Sequence, residues 1–389
     1  MYYVGIDISK YKHDCCIIDE HQNVFSRFSF DNNQSGFIKL ESVIDSVSDP
    51  NSEMRIGFEA TSHYALNLKL FLEKTQHSFM EFNPLLLSKY RNCTTLRRTK
   101  TDSVDCLEIA RWLITADYKP YPIGFYHMYS LKSLTRRRRT LVQIRSRYSI
   151  SITNVLDAMF PEFKPFFGNE FSPTALYILE NYPSAEKIGG MTSASYNRIK
   201  AAVRTRMNAV KFAELKQLAK NTVGQGNEYL EYELLLFLRL YRQMVSEIDQ
   251  LDNIIKDHVI NLDSHLMTMP GIGLVTAAII LGECGDIRNF DSADKLLAFS
   301  GLEPGIYQSG LSSQNGKMVK HGSAYLRYAI INCTLPLIKC NAVFASYYYK
   351  KIREGKPHRV ALTHVAKKLL RVIYTLETKG IDFDENLLR

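Results

Sequence analysis

Three short runs open the chain and decide the class of its first domain: YYVGIDIS at residues 2–9, DCCIIDE at residues 14–20 and VFSRFSF at residues 24–30. Each run is rich in β-branched, aromatic or other apolar residues, which is typical of strands. Polar residues separate the runs, and residues 21–23 in particular indicate a turn. The pattern therefore predicts three consecutive strands at the start of the fold.

Helices and further strands alternate over the following residues. The expected elements are a helix near residues 36–45, a strand at 54–60, a helix at 64–74, a strand at 79–83 and a helix near 103–115. The resulting order, β-β-β-α-β-α-β-α, is that of an RNase-H-like sheet. Such a sheet has three antiparallel strands extended by parallel ones, with helices on both faces. The first domain is therefore predicted to be an α/β domain with a mixed sheet.

The sequence pattern after the first domain predicts mainly helical structure. Long helical patterns cover residues 131–155 and 230–259, and the second has an apolar stripe like that of a coiled coil. This stripe predicts either packing within its own domain or pairing with another chain. Between the two helical patterns, residues 163–225 contain most of the prolines and glycines and indicate a helical insert or linker. The last third predicts a mostly helical domain with a glycine-punctuated loop. Three domains are therefore expected, with the bounds 1–160, 161–262 and 263–389.

Positive charge is concentrated in one part of the 389-residue chain, whose net charge is +9 and whose isoelectric point is near 9.0. Between residues 88 and 147 there are 14 Lys or Arg but only 4 Asp or Glu. Four adjacent arginines point around a whole helix and repel one another unless an anion is bound, which favours phosphate binding. A solvated helix face and a nuclear-localisation signal are the alternatives. The candidate contacts are Arg97, Arg98, Lys100, Arg136, Arg137, Arg138, Arg139, Arg145 and Arg147.

The cysteines and the apolar runs give an expectation about location. None of the seven cysteines forms a CxxC pair or has the spacing of a zinc site, so buried thiols in a reducing cytoplasm are expected. No apolar run approaches the length of a membrane span, and the first residues lack the apolar core of a signal peptide. The chain is therefore expected to act in the cytoplasm, away from membranes.

Four acidic residues form a candidate metal site. Asp7 lies within an apolar run and Glu59 ends the run MRIGFE, so two neighbouring strands of the predicted sheet each carry a carboxylate whose burial needs a cation. Asp102 and Asp105 lie three residues apart on one face at a helix start. Carboxylate oxygens suit Mg²⁺ or Mn²⁺, and two such ions can clamp a phosphate. The alternative for Asp102 is a helix-start carboxylate favoured by the helix dipole.

The segments around these acids resemble motifs of a known family. They are GIDISK from Gly5, FEATSHY from Phe58 and KTDSVDCLEIA from Lys100. They are similar to the acidic motifs of the DEDD insertion-sequence transposases, the bridge-RNA-guided recombinases of the IS110 family. The resemblance implies an N-terminal domain similar to RuvC, with Asp7, Glu59, Asp102 and Asp105 as its metal-binding and catalytic acids.

The C-terminal part carries further motifs. MPGIG at residues 269–273 resembles the hairpin of a helix-hairpin-helix, whose glycines let backbone N–H groups approach phosphate. GLEPGIYQSG at residues 301–310 and KMVKHGSAYLR at residues 317–327 resemble the C-terminal transposase domain of the same family. That resemblance implies that Ser309 is the catalytic nucleophile. Ser312 and Ser313 lie close enough to compete with Ser309 on sequence grounds alone.

Three cations in these motifs are candidates for contacts with nucleic acid, because they can offset negative charge that develops at an attacked phosphate. They are Lys317, Lys320 and Arg327.

The family resemblance implies a composite reaction. Metal ions held by the four acids position a phosphate, Ser309 attacks it, and a covalent phosphoserine–DNA intermediate passes between strands. It also implies three partners: donor and target double-stranded DNA, a structured non-coding guide RNA, and further copies of the chain in a dimer or tetramer. A metal-only nuclease such as a junction resolvase, with water as nucleophile, is the first alternative. A non-catalytic nucleic-acid-binding protein is the second.

Overall fold

The computed structural model describes the chain at residues 1–47, 53–60, 63–94, 102–121, 125–309 and 312–388. Within these residues the chain divides into two compact units, Met1–Tyr129 and Ser130–Arg389. The three domains expected at 1–160, 161–262 and 263–389 stay predictions.

The first unit is built on a mixed five-stranded sheet with the strand order β3-β2-β1-β4-β5. Its first three strands pair antiparallel, and β4 and β5 extend the sheet in parallel from β1. This confirms the expected α/β first part with a mixed sheet. The strands are β1 Tyr2–Ile8, β2 Lys12–Asp19, β3 Val24–Asp31, β4 Met54–Glu59 and β5 Phe79–Phe82.

Helices cover both faces of this sheet. Alternation along β1 sends Val4 and Ile6 to one face, where they share a hydrophobic cluster with Leu40 of the first helix. Tyr3 points to the other face and packs with Ile109 of the fourth helix. The third helix follows β5 directly and was not predicted. The helices are α1 Gln34–Val47, α2 Leu66–Lys74, α3 Pro84–Thr94 and α4 Asp102–Thr115.

From Phe125 onward the described chain is mainly helical, which confirms the class expected for this part. The two predicted long helices are present, and the predicted insert between them is folded as short helices. The α-helices are α5 Phe125–Met159, α6 Phe163–Phe167, α7 Pro173–Asn181, α8 Ala185–Gly189, α9 Ser193–Ala202, α10 Ala209–Lys220, α11 Glu228–Ile260, α12 Leu274–Cys284, α13 Ala293–Ser300, α14 Ala324–Cys340, α15 Ala342–Arg353 and α16 His358–Lys379.

The apolar stripe of α11 packs against the chain's own helices. Leu234 and Leu238 are buried in a cluster with the insert helices. Ile255 and Val259 are buried in a second cluster with the C-terminal helices. These four residues therefore favour packing within the chain over pairing with a second chain.

A β-hairpin replaces the loop expected in the last third. The strands β6 Pro304–Ser309 and β7 Ser312–Met318 pair antiparallel, with Ser309 opposite Ser312. The two strands are largely polar, so the apolar alternation that reveals a half-buried strand is missing from the sequence. The hairpin is held instead by backbone hydrogen bonds between its own two strands.

The cysteines only partly follow the expectation. Cys15, Cys16, Cys106 and Cys333 are buried, whereas Cys340 is exposed, so it is not the buried thiol that was predicted.

Over the part of the chain with described structure, no single helix is long and apolar enough to cross a membrane. One pair, α14 with α15, passes by length and composition together and is bent by 107°.

Candidate functional site

Asp7 and Glu59 are neighbours in the sheet. The parallel pair β1 and β4 matches Gly5 with Gly57 and Ile6 with Phe58, and the next residues along the two strands are Asp7 and Glu59. Both are odd-numbered positions, so they lie on the same face as Gly5 and Gly57. The first two acids predicted from the sequence are therefore brought together at the ends of adjacent strands.

Helix α4, which carries the other two acids, lies against this same face. A Cβ atom built on Gly5 would stand 2.3 Å from the Cys106 carbonyl oxygen and 2.4 Å from the Ala110 nitrogen, and one on Gly57 would stand 2.7 Å from a Leu113 methyl group. Real Cβ atoms do not approach so closely, so glycine at position 5 lets the helix backbone rest on β1, and glycine at position 57 makes room for the Leu113 side chain. Gly5 is two residues before Asp7, roughly 7 Å along the strand.

Asp105 precedes Cys106, and its side chain is only 5% exposed. Asp102 is the first residue of α4, one turn before Asp105, and its side chain lies outside the described residues. Among the side chains that the structure does describe, no three His, Cys, Asp or Glu residues form a group able to hold a metal ion. The four-acid site thus stays a prediction, which the placement of Asp7, Glu59 and α4 supports.

A further acid, which sequence reasoning missed, lies next to this site. Asp14 of β2 is the cross-strand partner of Asp7, and it accepts a 2.6 Å hydrogen bond from the Ser29 hydroxyl. In the sequence it begins the run DCCIIDE and looks like an ordinary turn residue. Only the register between β1 and β2 reveals its position beside Asp7.

Two thiols fix the contact between α4 and β2. The pKa of Cys16 falls to about 7, chiefly because it is hydrogen-bonded to the thiol of Cys106, with the charges of Arg27 and Arg111 adding to the effect. The same hydrogen bond raises the pKa of Cys106. The residue that follows Asp105 is thereby bonded to the strand that carries Asp14.

Ser309 ends β6, next to the tip of the hairpin. It is paired with Ser312, whereas Ser313 is paired with Gln308. In the backbone register, Ser312 of the two competing serines is therefore the direct partner of the predicted nucleophile.

The base of the hairpin is closed by tight backbone contacts. The Ser323 amide donates to the Phe299 carbonyl at 2.7 Å, and a Cβ atom built on Gly322 would stand 1.9 Å from that same oxygen. Gly301 ends α13 with φ of +67°, in the left-handed region that favours glycine. Gly301 and Gly322 therefore have a steric role in these two motifs.

A buried carboxylate anchors this base. Glu283, 3% exposed at the end of α12, accepts hydrogen bonds from Arg136 Nε at 2.6 Å and from Arg136 Nη2 at 2.9 Å. It also accepts a 2.8 Å bond from the hydroxyl of Ser323, the residue that caps α14. One side chain thus links α5, α12 and the segment that follows the hairpin, and nothing in the sequence pattern indicated it.

Comparison with known proteins decides the family. A model described as a DEDD-type transposase matches residues 4–161, and a model described as the transposase IS116/IS110/IS902 family matches residues 263–349. Together the two models cover well over half of the chain, including Asp7, Glu59, Asp105 and Ser309. The chain belongs to the IS110-type transposase family.

Two relatives of this IS110-type transposase match it over nearly its whole length, and a third matches part of it. The pilin gene-inverting protein of Moraxella lacunata is 24% identical over 99% of the chain and 98% of its own length. The mini-circle putative transposase for IS117 of Streptomyces coelicolor is 23% identical over 98% of the chain and 95% of its own length. The transposase for insertion sequence element IS1328 of Yersinia enterocolitica is 27% identical over 44% of the chain and 54% of its own length. The chain is therefore an enzyme of the DNA transposase and recombinase class.

The predicted basic contacts of the transposase have different surroundings. Arg136 is bonded to Glu283, and Arg138 forms a bidentate pair with Asp252. For these two arginines a carboxylate of the chain supplies the negative charge that the sequence argument assigned to a bound anion. The guanidinium of Arg139 lies 4.0 Å from the ring centre of Tyr328.

The other basic candidates form two groups, those whose side chains the structure describes and those whose side chains it does not. Arg137, Arg145 and Arg147 have no carboxylate within salt-bridge distance in the described part of the chain. Arg327 donates a 3.1 Å hydrogen bond to the Ser300 carbonyl, and Lys320 is exposed. The candidates that lie outside the described residues, or whose side chains do, are Arg97, Arg98, Lys100 and Lys317.

The MPGIG turn of the transposase lies between a short 3-10 helix and α12. Gly271 has φ of +86°, and a Cβ atom there would stand 2.9 Å from the Leu337 nitrogen, so this glycine packs against α14. Gly273, at the start of α12, has nothing within 4 Å of its Cβ position. Of the two motif glycines, Gly273 is the one with open space beside it.

Proposed function

We propose that this transposase cuts and rejoins DNA through a covalent phosphoserine intermediate at Ser309, with the attacked phosphate positioned by a site of four acids: Asp7, Glu59, Asp102 and Asp105. The observation that carries the proposal is that Asp7 and Glu59 each follow directly after the paired residues Ile6 and Phe58, on the face against which α4 packs. The sheet order and this helix also support an RNase-H-like, RuvC-like first domain.

The chemistry of the four acids fits a hard divalent cation. Carboxylates provide only oxygen ligands, which Mg²⁺ and Mn²⁺ prefer, and a divalent cation offsets the repulsion between like charges on neighbouring strands. Asp7 and Glu59 would hold such an ion from rigid strands, and Asp102 and Asp105 from the first turn of α4. When bound, the ion supplies positive charge that draws a DNA phosphate to the site. The acids themselves fix where that phosphate lies.

The serine performs the exchange of bonds. The Ser309 hydroxyl oxygen attacks phosphorus and loses its proton, a phosphoserine bond forms, and the bond from phosphorus to one DNA oxygen breaks. That oxygen leaves as a hydroxyl after gaining a proton. In the reverse step a DNA hydroxyl from the other strand attacks the phosphoserine and frees Ser309. One phosphodiester is exchanged for another, so the step needs no ATP.

The proposal extends to the partners. We infer that the chain binds donor and target double-stranded DNA together with a structured non-coding guide RNA. We also infer that it acts as a dimer or tetramer, in which the acids of one protomer and Ser309 of another complete a site. The concentration of positive charge between residues 88 and 147 supports the nucleic-acid partners, and the exposed arginines Arg137 and Arg147 belong to it.

The test is a cleavage assay with end-labelled DNA, Mg²⁺ and the RNA transcribed beside the gene, resolved on a denaturing gel. Wild type is compared with Ser309→Ala, Ser312→Ala and Asp102→Asn. A covalent protein–DNA band in wild type and in Ser312→Ala, absent from the other two variants, supports the proposal. Free-ended cleavage that survives Ser309→Ala overturns it and supports a metal-only nuclease with water as nucleophile.

A further inference from the structure

A second basic surface lies far along the chain from the one found in the sequence. Between residues 342 and 371 there are eight Lys or Arg and one acidic residue, Glu354. This stretch forms α15 and the first half of α16. We call one part of it the α15–α16 surface; its residues are Tyr347, Lys350, Lys351, Lys356, His364, Lys367 and Lys368.

Several contacts bring these side chains to one surface. Lys350 and Lys368 line the same groove, although they belong to different helices. The ammonium groups of Lys351 and Lys368 both lie over the ring of Tyr347, at 5.5 and 5.3 Å from its centre. His364 has Lys351, Lys367 and Lys356 as its charged neighbours, together with Glu354. The two helices therefore present their cations together.

Acidic side chains compensate only part of the charge of this surface, with Glu354 beside Lys351 and His364 and Glu303 near Lys367. Lys351 is paired with Glu354 at 2.8 Å. In the part of the chain that the structure describes, no carboxylate lies within 4.0 Å of Lys350, Lys356 or Lys368. Burial, together with the neighbouring lysines, lowers the pKa of His364, and burial and Arg371 lower that of Lys367. Cations held this close repel one another, and a polyanion relieves the repulsion.

An aromatic ring lies among these cations. Tyr347 lines the groove with Ser346, Lys350 and Lys368, and the groove has a volume of about 410 Å³. Flat rings beside cations bind unpaired bases by stacking, whereas the bases of a duplex are already stacked on each other and cannot reach a ring.

We propose that the α15–α16 surface binds a single-stranded nucleic-acid segment, with phosphates against Lys350 and Lys368 and a base stacked on Tyr347. The site involves neither Ser309 nor the four acids, so evidence against the reaction proposed above would not count against this binding site. It adds to the transposase a place for an unpaired strand.

Photocrosslinking of the full-length chain tests the site directly. The probes are 20-nucleotide single strands, one of DNA and one of RNA, each carrying a single 5-iodouracil, and the crosslinked peptide is identified by mass spectrometry. A crosslink on Tyr347 is expected, and it should be lost in Tyr347→Leu. Crosslinks confined to other parts of the chain would overturn the proposal. The strand that crosslinks more strongly, DNA or RNA, identifies the ligand.

Binding measurements provide a matched control. The double variant Lys350→Gln/Lys368→Gln is compared with Lys339→Gln/Lys379→Gln, which removes the same charge from exposed positions outside the surface. The first variant should bind the single strands about 10-fold more weakly and lower the salt slope of binding by about 1.4, since each phosphate contact contributes roughly 0.7. The control should change affinity less than about 2-fold. Equal effects in the two variants, or an equal loss for a 20-base-pair duplex, would overturn the proposal.

Discussion

Asp7 and Glu59 stand side by side across the parallel pair β1 and β4, one residue beyond Ile6 and Phe58. Adjacent strands lie about 4.8 Å apart, so the backbone alone holds these two carboxyl groups close together on one face of the sheet. Two ionised carboxylates at such a distance repel each other. A pair of this kind is suited to sharing a cation.

Replacing Glu59 by Gln should remove one of these charges and keep the size of the side chain. We expect metal-dependent DNA cleavage to fall roughly 100-fold, which corresponds to about 3 kcal/mol of lost transition-state stabilisation. Cleavage rates measured over a Mg²⁺ and Mn²⁺ titration check this. The control is Asp45→Asn, on an exposed position of α1, which packs on the opposite face of the sheet. Equal rates in wild type and Glu59→Gln would remove Glu59 from the site.

Gly5→Ala should disturb the site without touching an acid. The new methyl group would meet the Cys106 carbonyl at 2.3 Å, so α4 must shift away from β1. We expect a loss of about 1–3 kcal/mol in the free energy of unfolding, measured by urea titration, and reduced cleavage at temperatures where the variant is folded. At Gly190, with φ of −83°, the nearest atom to a Cβ lies at 3.5 Å, so Gly190→Ala should have little effect. Full activity in Gly5→Ala would show that the acids tolerate a displaced helix.

Glu283→Gln should destabilise the second unit. The change leaves the Arg136 guanidinium without its charge partner, and we expect a loss of about 2 kcal/mol in unfolding free energy. Glu180→Gln is the matched control, because Glu180 accepts the same bidentate pair of hydrogen bonds from Arg242 but at an exposed place. Exposed pairs contribute about 0–1 kcal/mol, so this loss should be smaller. Similar losses in the two variants would mean that burial of Glu283 adds nothing.

His13 should make stability depend on pH. Its ring is fully buried, its Nε2 has no hydrogen-bond partner among the described residues, and burial lowers its pKa, opposed by Asn32 and Asp14. Below about pH 6.5 the His13 imidazole therefore binds a proton in the unfolded chain but not in the folded chain. The free energy of unfolding should fall as the pH drops from 6.5 towards the lower folded pKa.

Urea titrations at pH 7.5, 6.5 and 5.5 test this, with His13→Leu as the comparison. His364, whose pKa is also lowered, is present in both proteins, so the difference between them isolates His13. The decline with falling pH should be shallower in His13→Leu. Identical pH profiles would contradict the assignment.

The sheet of the first unit was predictable because its signals are local. Alternation and apolar runs mark each strand, and the carboxylates of Asp7 and Glu59 are conspicuous in apolar surroundings. Helix α3 was missed because its apolar residues directly follow β5 and lack a clear helical period. Asp14 was missed because its place beside Asp7 depends on the register between two strands.

The second unit depends more on contacts between distant residues. Arg136 and Glu283 are 147 positions apart, so no sequence window contains both. Without that partner, the arginine run predicts only a surface for anions. The hairpin of Ser309 was missed for a related reason, since its polar strands are held by each other and by the contact of Ser323 with Phe299. The family motifs still identified its serine, because motif recognition does not require the local structure.

The absence of side chains at Gly5 and Gly57 bears on how copies of a mobile element lose their activity. A copy that acquires a side chain at Gly5 retains all four acids and Ser309, so its motifs would still look intact. The new Cβ atom would nevertheless meet the backbone of α4 and push that helix off β1, whereas at Gly57 only the end of the Leu113 side chain would have to move. Gly5 therefore belongs with the acids among the residues that distinguish an active copy from an inactive one.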